Sequence, residues 1–172
     1  MTNRRKQLAW LLGVMVFVVC LDQTAKALIR ANLPHHDRAL YKGEKQFFYI
    51  THEQNTGLVG GAFRDSRIVA KLAPLLASAV LIYLFWHLDP ASICQNVAYG
   101  MVAGGAIGNL IDRFRLGHVT DFLQFHFYFI PINFPWKHYP AFNFADSAIC
   151  IGVFLLVIGW RKLDRSHVPQ PS

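Results

Sequence analysis

Residues 104–122 read GGAIGNLIDRFRLGHVTDF. The stretch opens as the glycine-seamed end of an apolar helix, and its polar residues Asn109, Asp112 and Arg113 take the chain out of the membrane. A turn at Gly117 follows, and Asp121 comes next. A second carboxylate, Asp146 in Phe142-Asn143-Phe144-Ala145-Asp146, stands at the start of the next apolar segment. The expectation is that the remaining chain brings these two aspartates together at a membrane surface.

Composition supports a membrane setting. Of 172 residues, 53% are hydrophobic and 16% are charged, against about a quarter charged in an ordinary soluble domain. This length suits one domain. The formal charge of +7 does not point to nucleic acid, because there is no basic helix and no RNP-like signature. The cations lie at the two ends and in loops between apolar runs, as at membrane surfaces. Cys20, Cys94 and Cys150 are odd in number and scattered, so they form neither a disulfide framework nor a metal motif. They are expected to be buried, inert thiols.

Working outward, four apolar runs predict an all-α membrane protein, a bundle of four transmembrane helices. The spans lie near 8–29, 68–86, 91–111 and 141–160, with outer regions at 31–67 and 112–140. A single integral membrane domain covers 1–165, and residues 166–172 make a disordered tail. The first run has the basic start of a signal peptide, in Arg4, Arg5 and Lys6. No A-x-A-like site follows, bulky Val19 spoils a lipobox ending at Cys20, and the helical pattern continues to Ile29. It therefore reads as a retained span. Asp22 and Lys26, four residues apart, share a face and can pair; the alternative is that the helix ends at Leu21 and leaves both solvated. Gly100, Gly104 and Gly108 form a small-xxx-small seam, for which packing is a sufficient reason.

The outer regions carry β signals. Residues 46–52 are rich in β-formers, and residues 119–129 alternate with period two from Leu123, with Phe125, Phe127 and Phe129 on one side. With Phe134, Trp136 and Tyr139 they read as an aromatic belt at the interface. Between the strands, residues 54–63 are turn-rich, but no Gly-Lys-Ser/Thr follows to make a phosphate loop. Four spans place both termini on one side, and the terminal Arg/Lys clusters assign that side to the cytoplasm. Asp121, the 31–67 loop and the start of the last helix then share the outer face.

Two carboxylates held close cannot both ionise cheaply, so they share a proton. The ionised member can activate a water while the protonated member polarises a peptide carbonyl. Spacing alone leaves another reading open, in which Asp121 is an exposed turn residue and Asp146 a helix-end anion favoured by the dipole. Asn143 can cap the last helix or orient the pair. Asp112 and Arg113 can be an ordinary boundary ion pair, with Arg113 the better candidate for loop or dyad support. Ser66, Lys71 and Ser147 form no recognisable serine–lysine pair, and the histidines lack metal-helix spacing, so zinc is not expected.

The ordered boxes resemble the bacterial lipoprotein signal peptidases (signal peptidase II). They are Asp22-Gln23-Thr24-Ala25-Lys26; Asn55-Thr56-Gly57 with Ala62-Phe63 behind; Gly104 to Arg113 with Gly117 to Phe122; and Phe142 to Asp146. In the second box Leu58-Val59-Gly60-Gly61 lengthen the usual interval, which implies a loop of different shape. The resemblance implies a four-helix aspartic endopeptidase of the inner membrane with a small extracytoplasmic β-cradle. Its partners would be membrane lipid and prolipoproteins carrying diacylglyceryl-cysteine, cut before that cysteine. Carried over box by box, Asp121 and Asp146 are catalytic. Asp22, Lys26, Asn55, Gly57, Asn109, Asp112, Arg113, Asn143 and Ala145 support the dyad or face substrate. No metal or cofactor is implied. Two rivals remain: a small transporter, which would spread ionisable groups through mid-bilayer, and a non-catalytic assembly factor, whose aspartates would tolerate asparagine.

Overall fold

Asn3–Asn32 forms one continuous helix, α1, of 30 residues. A computed structural model describes it together with residues 33–36, 38–39, 47–57, 76, 79–81, 83, 85–130, 132 and 137–166. At 1.5 Å per residue, α1 is about 45 Å long, more than the ~30 Å of a hydrocarbon core. Among the described residues it is the one helix long and apolar enough to cross a membrane. It runs through Leu21 and past Ile29, so Asp22 and Lys26 are helical and not solvated beyond an end. Its surface is inverted relative to a soluble helix. Trp10, Val16, Phe17 and Leu28 are exposed, whereas Gln7, Asp22 and Lys26 are buried. Hydrocarbon outside and polar partners inside account for that arrangement.

Helix α2 spans Ile93–Leu116. Ser92 caps its start by accepting from Gln95 N–H, and Gly117, at φ 78°, ends it with its N–H donating to Arg113 O. The helix starts later and ends five residues later than the 91–111 expected from hydropathy. Polarity at Asn109 and Asp112 is no reason to stop when both are buried. Beyond Asp112 the first residue suited to the left-handed conformation is Gly117. Asp112 and Arg113 are thus inside a helix and not beyond it. Glycine and the buried Gln95, Asn96, Asn109 and Asp112 dilute the apolar character of α2. Helix α3 spans Phe144–Ser166, with an apolar portion at Phe144–Ile158.

Helix α2 packs on both α1 and α3. The seam of Gly100, Gly104 and Gly108 lies against α1. A Cβ on Gly104 would sit 2.9 Å from Met15 O, and one on Gly108 only 2.6 Å from Asp22 Oδ2. The α2–α3 contact uses two further glycines: a Cβ on Gly105 would run into Ala145 O, and one on Gly152 would lie 2.7 Å from Ala98 O. Residues 76, 79–81, 83, 85 and 86 are helical. The rest of the expected 68–86 span, including Lys71 and Pro74, lies outside the described residues. The turn before α2 is held by Ser92 N–H on Asp89 O (3.1 Å) and Ala91 N–H on Asp89 Oδ1 (2.9 Å).

Three antiparallel strands, β1 (Arg38–Ala39), β2 (Phe48–Asn55) and β3 (Val119–Phe125), form a sheet in the order β1-β2-β3. An irregularity between Ile50 and Glu53 shifts the β2–β3 register, as a bulge does. Strand β2 reaches three residues beyond the expected 46–52 and so includes Asn55. Strand β3 stops at Phe125, short of the expected 129, and the chain continues as a bridge from His126 to His138. The aromatic row is present: Phe47 packs on Phe125, Phe127 and Phe129 at centroid distances of 5.1, 5.5 and 5.9 Å. The 58–63 segment, Ser66, Phe134 and Trp136 lie outside the described residues. So does the expected tail from residue 167, whereas Ser166 belongs to α3.

Cys20, Cys94 and Cys150 are exposed, not buried. In an inside-out bundle the interior is taken by polar side chains and by the glycines and alanines of close helix contacts. Many apolar residues face outward with the thiols, although Leu11, Leu88 and Tyr99 form a small apolar core.

Candidate active site

The segments that carry Asp121 and Asp146 are brought together by backbone pairing. Phe122 N–H and Leu123 N–H both donate to Phe142 O, at 3.0 and 2.8 Å, and Phe142 N–H returns a bond to Leu123 O at 2.9 Å. The free edge of β3 therefore pairs with the segment leading into α3. Asn143, the next residue, falls beside Asp121. Its Nδ2 donates to Asp121 Oδ1 at 2.7 Å. Asn143 is also the cap of α3: its Oδ1 accepts from Asp146 N–H at 2.9 Å, while Asp146 Oδ2 accepts from Asn143 N–H at 3.2 Å. That is the reciprocal geometry of a capping box. One side-chain amide thus holds both aspartates.

The remaining oxygens are also tied. Asp121 Oδ2 accepts from Asn55 Nδ2 at 3.0 Å, and Asp146 Oδ1 accepts from Asn109 Nδ2 at 2.8 Å. Asn109 Oδ1 in turn accepts from Asn143 Nδ2 (3.1 Å) and from Lys26 Nζ (2.9 Å). Lys26 is fully buried. Its ammonium meets Asn109, Asp22 Oδ2 at 2.8 Å and Asp112 Oδ2 at 3.5 Å, three acceptors for three donors. Asp22 Oδ1 accepts from Ala145 N–H at 3.0 Å, an anion placed at the positive end of α3. Breaking such a buried pair by removing one partner costs about 3–5 kcal/mol.

The loop after β2 is tied to the same cluster. Gly57 N–H donates to Asn55 Oδ1 and Arg113 donates to Gly57 O, each at 3.0 Å. The candidate site residues thus enter one connected network: Asp121 and Asp146 with Asp22, Lys26, Asn55, Gly57, Asn109, Asp112, Arg113, Asn143 and Ala145. Asp112 pairs with Lys26 and Arg30 and does not form a simple boundary pair with Arg113. Asp121 is a strand residue with 2% of its surface exposed, which removes the reading as an exposed turn.

Three participants were not foreseen. Gln23 Nε2 donates to Gly108 O (3.0 Å), Asp22 Oδ2 (3.2 Å) and Asp112 Oδ1 (3.4 Å). Thr120 N–H donates to Asp112 Oδ2 at 3.0 Å, and Arg30 donates to Thr120 Oγ1 at 3.0 Å. Arg30 had a signal, since it continues the four-residue spacing of Asp22 and Lys26. A neutral Thr or Gln carries none.

Burial pushes the Asp121 carboxyl up to about 7 from its ordinary 3.8, and the neighbouring Asp146 adds to the rise. Bonds from Asn55 and Asn143 and the charge of Lys26 pull the other way without cancelling it. The site therefore favours holding a proton on the pair near neutrality, the state in which one carboxylate can act as base and one carboxyl as acid. Among the described residues no group of three His, Cys, Asp or Glu side chains is arranged to hold a metal.

Comparison with known proteins points the same way. The family model described as Signal peptidase (SPase) II matches residues 14–161. The chain is 36% identical over 155 residues to the lipoprotein signal peptidase of Syntrophotalea carbinolica, covering 88% of this chain and 91% of that protein. It is 35% identical over 178 residues to the lipoprotein signal peptidase of Aeromonas hydrophila, covering 98% of each. A solved bacterial membrane enzyme, determined by the in meso method, superposes with a TM-score of 0.73 at 27% identity over 92% of both chains.

Proposed function

This chain belongs to the signal peptidase II family, and from that premise we propose that Asp121 and Asp146 are its catalytic dyad. The protein is an aspartic endopeptidase of the bacterial inner membrane that removes the signal peptide from prolipoproteins. The observation that carries the dyad reading is the Asn143 side chain, which holds Asp121 through Nδ2 and caps Asp146 through Oδ1.

The chemistry follows from one shared proton. The ionised carboxylate takes a proton from water, and the resulting hydroxide attacks the scissile carbonyl carbon. The protonated carboxyl gives its proton to the carbonyl oxygen, so the tetrahedral intermediate is neutral and not covalently bound to the enzyme. Collapse breaks the C–N bond as the amine nitrogen is protonated by the dyad. The pair titrates as a unit, sharing one proton between its two members. Asn109 and Asn143 fix the angle between the carboxyls, Asn55 holds Asp121, and Arg113 and Gly57 order the loop beside them. Asp22, Lys26, Asp112 and Ala145 hold α1, α2 and the start of α3 in register. A water-poor pocket strengthens the hydrogen bond from the protonated carboxyl to the carbonyl oxygen as that oxygen gains charge.

The finer architecture proposed is one membrane domain over 1–165 with four spans, the second at 68–86. Both termini are cytoplasmic, and the sheet forms a cradle at the extracytoplasmic face beside the dyad. Terminal Arg/Lys clusters and the aromatic row on Phe47 support this placement. The substrate carries diacylglyceryl on the cysteine after the cut, and its acyl chains stay in the surrounding lipid. No nucleic acid is involved.

The test gives purified protein a diacylglyceryl-modified prolipoprotein and its unmodified form, and reads products by mass. The expected product begins at the lipid-modified cysteine, from the modified form only. Asp121→Asn and Asp146→Asn should each abolish it while unfolding at parental temperature within a few degrees. A folded variant that keeps parental turnover would overturn the dyad.

A further inference from the structure

We propose that Arg30 and Thr120 together are positioning residues for Asp121, a pinned corner of β3 that sets its carboxyl against Asn143; the inference rests on the dyad reading above. Thr120 is fully buried and immediately precedes Asp121. All its polar groups are engaged. Its N–H donates to Asp112 Oδ2 at 3.0 Å, its Oγ1 accepts from Arg30 at 3.0 Å, and its carbonyl lies 3.5 Å from Asn143 Nδ2. The same Arg30 nitrogen reaches Asp112 Oδ1 at 3.5 Å. Arg30, Asp112 and Thr120 thus close a triangle between α1, α2 and β3.

Each residue also has an ordinary explanation. Arg30 lies in the last turn of α1, where a cation suits the helix dipole, and threonine is a good strand former. Neither explanation calls for the hydroxyl to meet the guanidinium. The triangle does: the β2 ladder sets Thr120 opposite Gln54 and Asp112 holds its N–H on the outer edge of β3, but neither holds the side chain. Arg30 on Oγ1 supplies that hold. A shift of the Thr120 backbone passes directly to Asp121, and a misplacement of about 1 Å can cost about 100-fold in rate. Arg30 and Thr120 touch neither carboxyl of the dyad in any hydrogen bond described, so they act through placement alone.

The experiment measures kcat and KM on diacylglyceryl-modified prolipoprotein for Thr120→Val, Thr120→Ser, Arg30→Gln and the Arg30→Gln/Thr120→Val double variant. Asp121→Asn serves as control, and thermal unfolding is read in the same detergent. Losing one charge-assisted hydrogen bond should lower kcat about tenfold in Thr120→Val, with KM within about twofold of the parent. Thr120→Ser, which keeps the hydroxyl, should restore parental kcat. Arg30→Gln, which also loses the Asp112 contact, should fall at least as far as Thr120→Val, and the double variant should fall no further than Arg30→Gln. Parental kcat in folded Thr120→Val, or equal loss in Thr120→Ser, would overturn the proposal. So would independent, multiplying effects in the double variant. If Arg30→Gln does not fold, the valine and serine variants decide alone. Activity in Asp121→Asn would instead overturn the dyad reading.

Discussion

Asn143 does two jobs with one amide, and they separate by measurement. As a helix cap its loss costs about 0.5–2 kcal/mol. As the bridge between Asp121 and Asp146 its loss should cost much more in rate than in stability. Asn143→Ala is therefore expected to unfold only a few degrees lower while kcat falls about 100-fold, the scale of a misplaced catalytic group; unfolding curves and turnover on one preparation check both. The Asp121 carboxyl, raised to about 7 from 3.8, predicts a pH effect of definite sign. The fold binds this proton more tightly than the unfolded chain does, so its stabilising effect is full below about pH 4 and is lost as pH rises through about 7. Thermal unfolding of the parent should fall across that window more than that of Asp121→Asn, and kcat should fall above about pH 7. The two aspartates were legible in the sequence because isolated carboxylates at the ends of apolar runs are conspicuous. Thr120 and Gln23 were not, since a neutral polar residue gains meaning only from what it faces.

Helix ends and helix contacts follow different signals. Hydropathy placed the end of α2 at Ile111, but the helix continues to Leu116 because its polar residues point inward and Gly117 supplies the stop. The Gly100–Gly104–Gly108 seam was legible from its spacing, and it meets α1 as close packing requires. Gly105 and Gly152 fall outside that period, so the α2–α3 contact could not be read in advance. A paired substitution tests the element-level account. Gly108→Ala puts a methyl 2.6 Å from Asp22 Oδ2, pressing on the carboxylate that holds Ala145 N–H. It should destabilise by about 1–3 kcal/mol and lower turnover with it. Gly13→Ala meets nothing within 4 Å and should be neutral or stabilising by up to about 1 kcal/mol. Thermal unfolding of the two variants in one detergent gives the comparison.

Among the described residues, charged and amide side chains are drawn inward while many apolar ones face outward, and Lys26 is the centre of the inner polar set. Lys26→Met leaves Asp22 and Asp112 buried without their shared cation, which should destabilise by about 3–5 kcal/mol. Adding Asp22→Asn should recover part of that loss, and a thermal-unfolding cycle of the four proteins measures the coupling. The inside-out plan was legible from composition and from apolar runs. The meeting of Asp121 with Asp146 was also expected; the pairing of β3 with Phe142 that produces it was not, because it runs through a segment of irregular sequence. The most direct test of the central claim is the turnover of Asp121→Asn, Asp146→Asn and the double variant on diacylglyceryl-modified prolipoprotein. Groups that act as a unit lose nearly everything when either is removed. Each single variant should therefore fall by about 1,000-fold or more, with the double variant no lower. A single variant within about tenfold of the parent, or a double variant whose loss is the product of the singles, would contradict a shared-proton dyad.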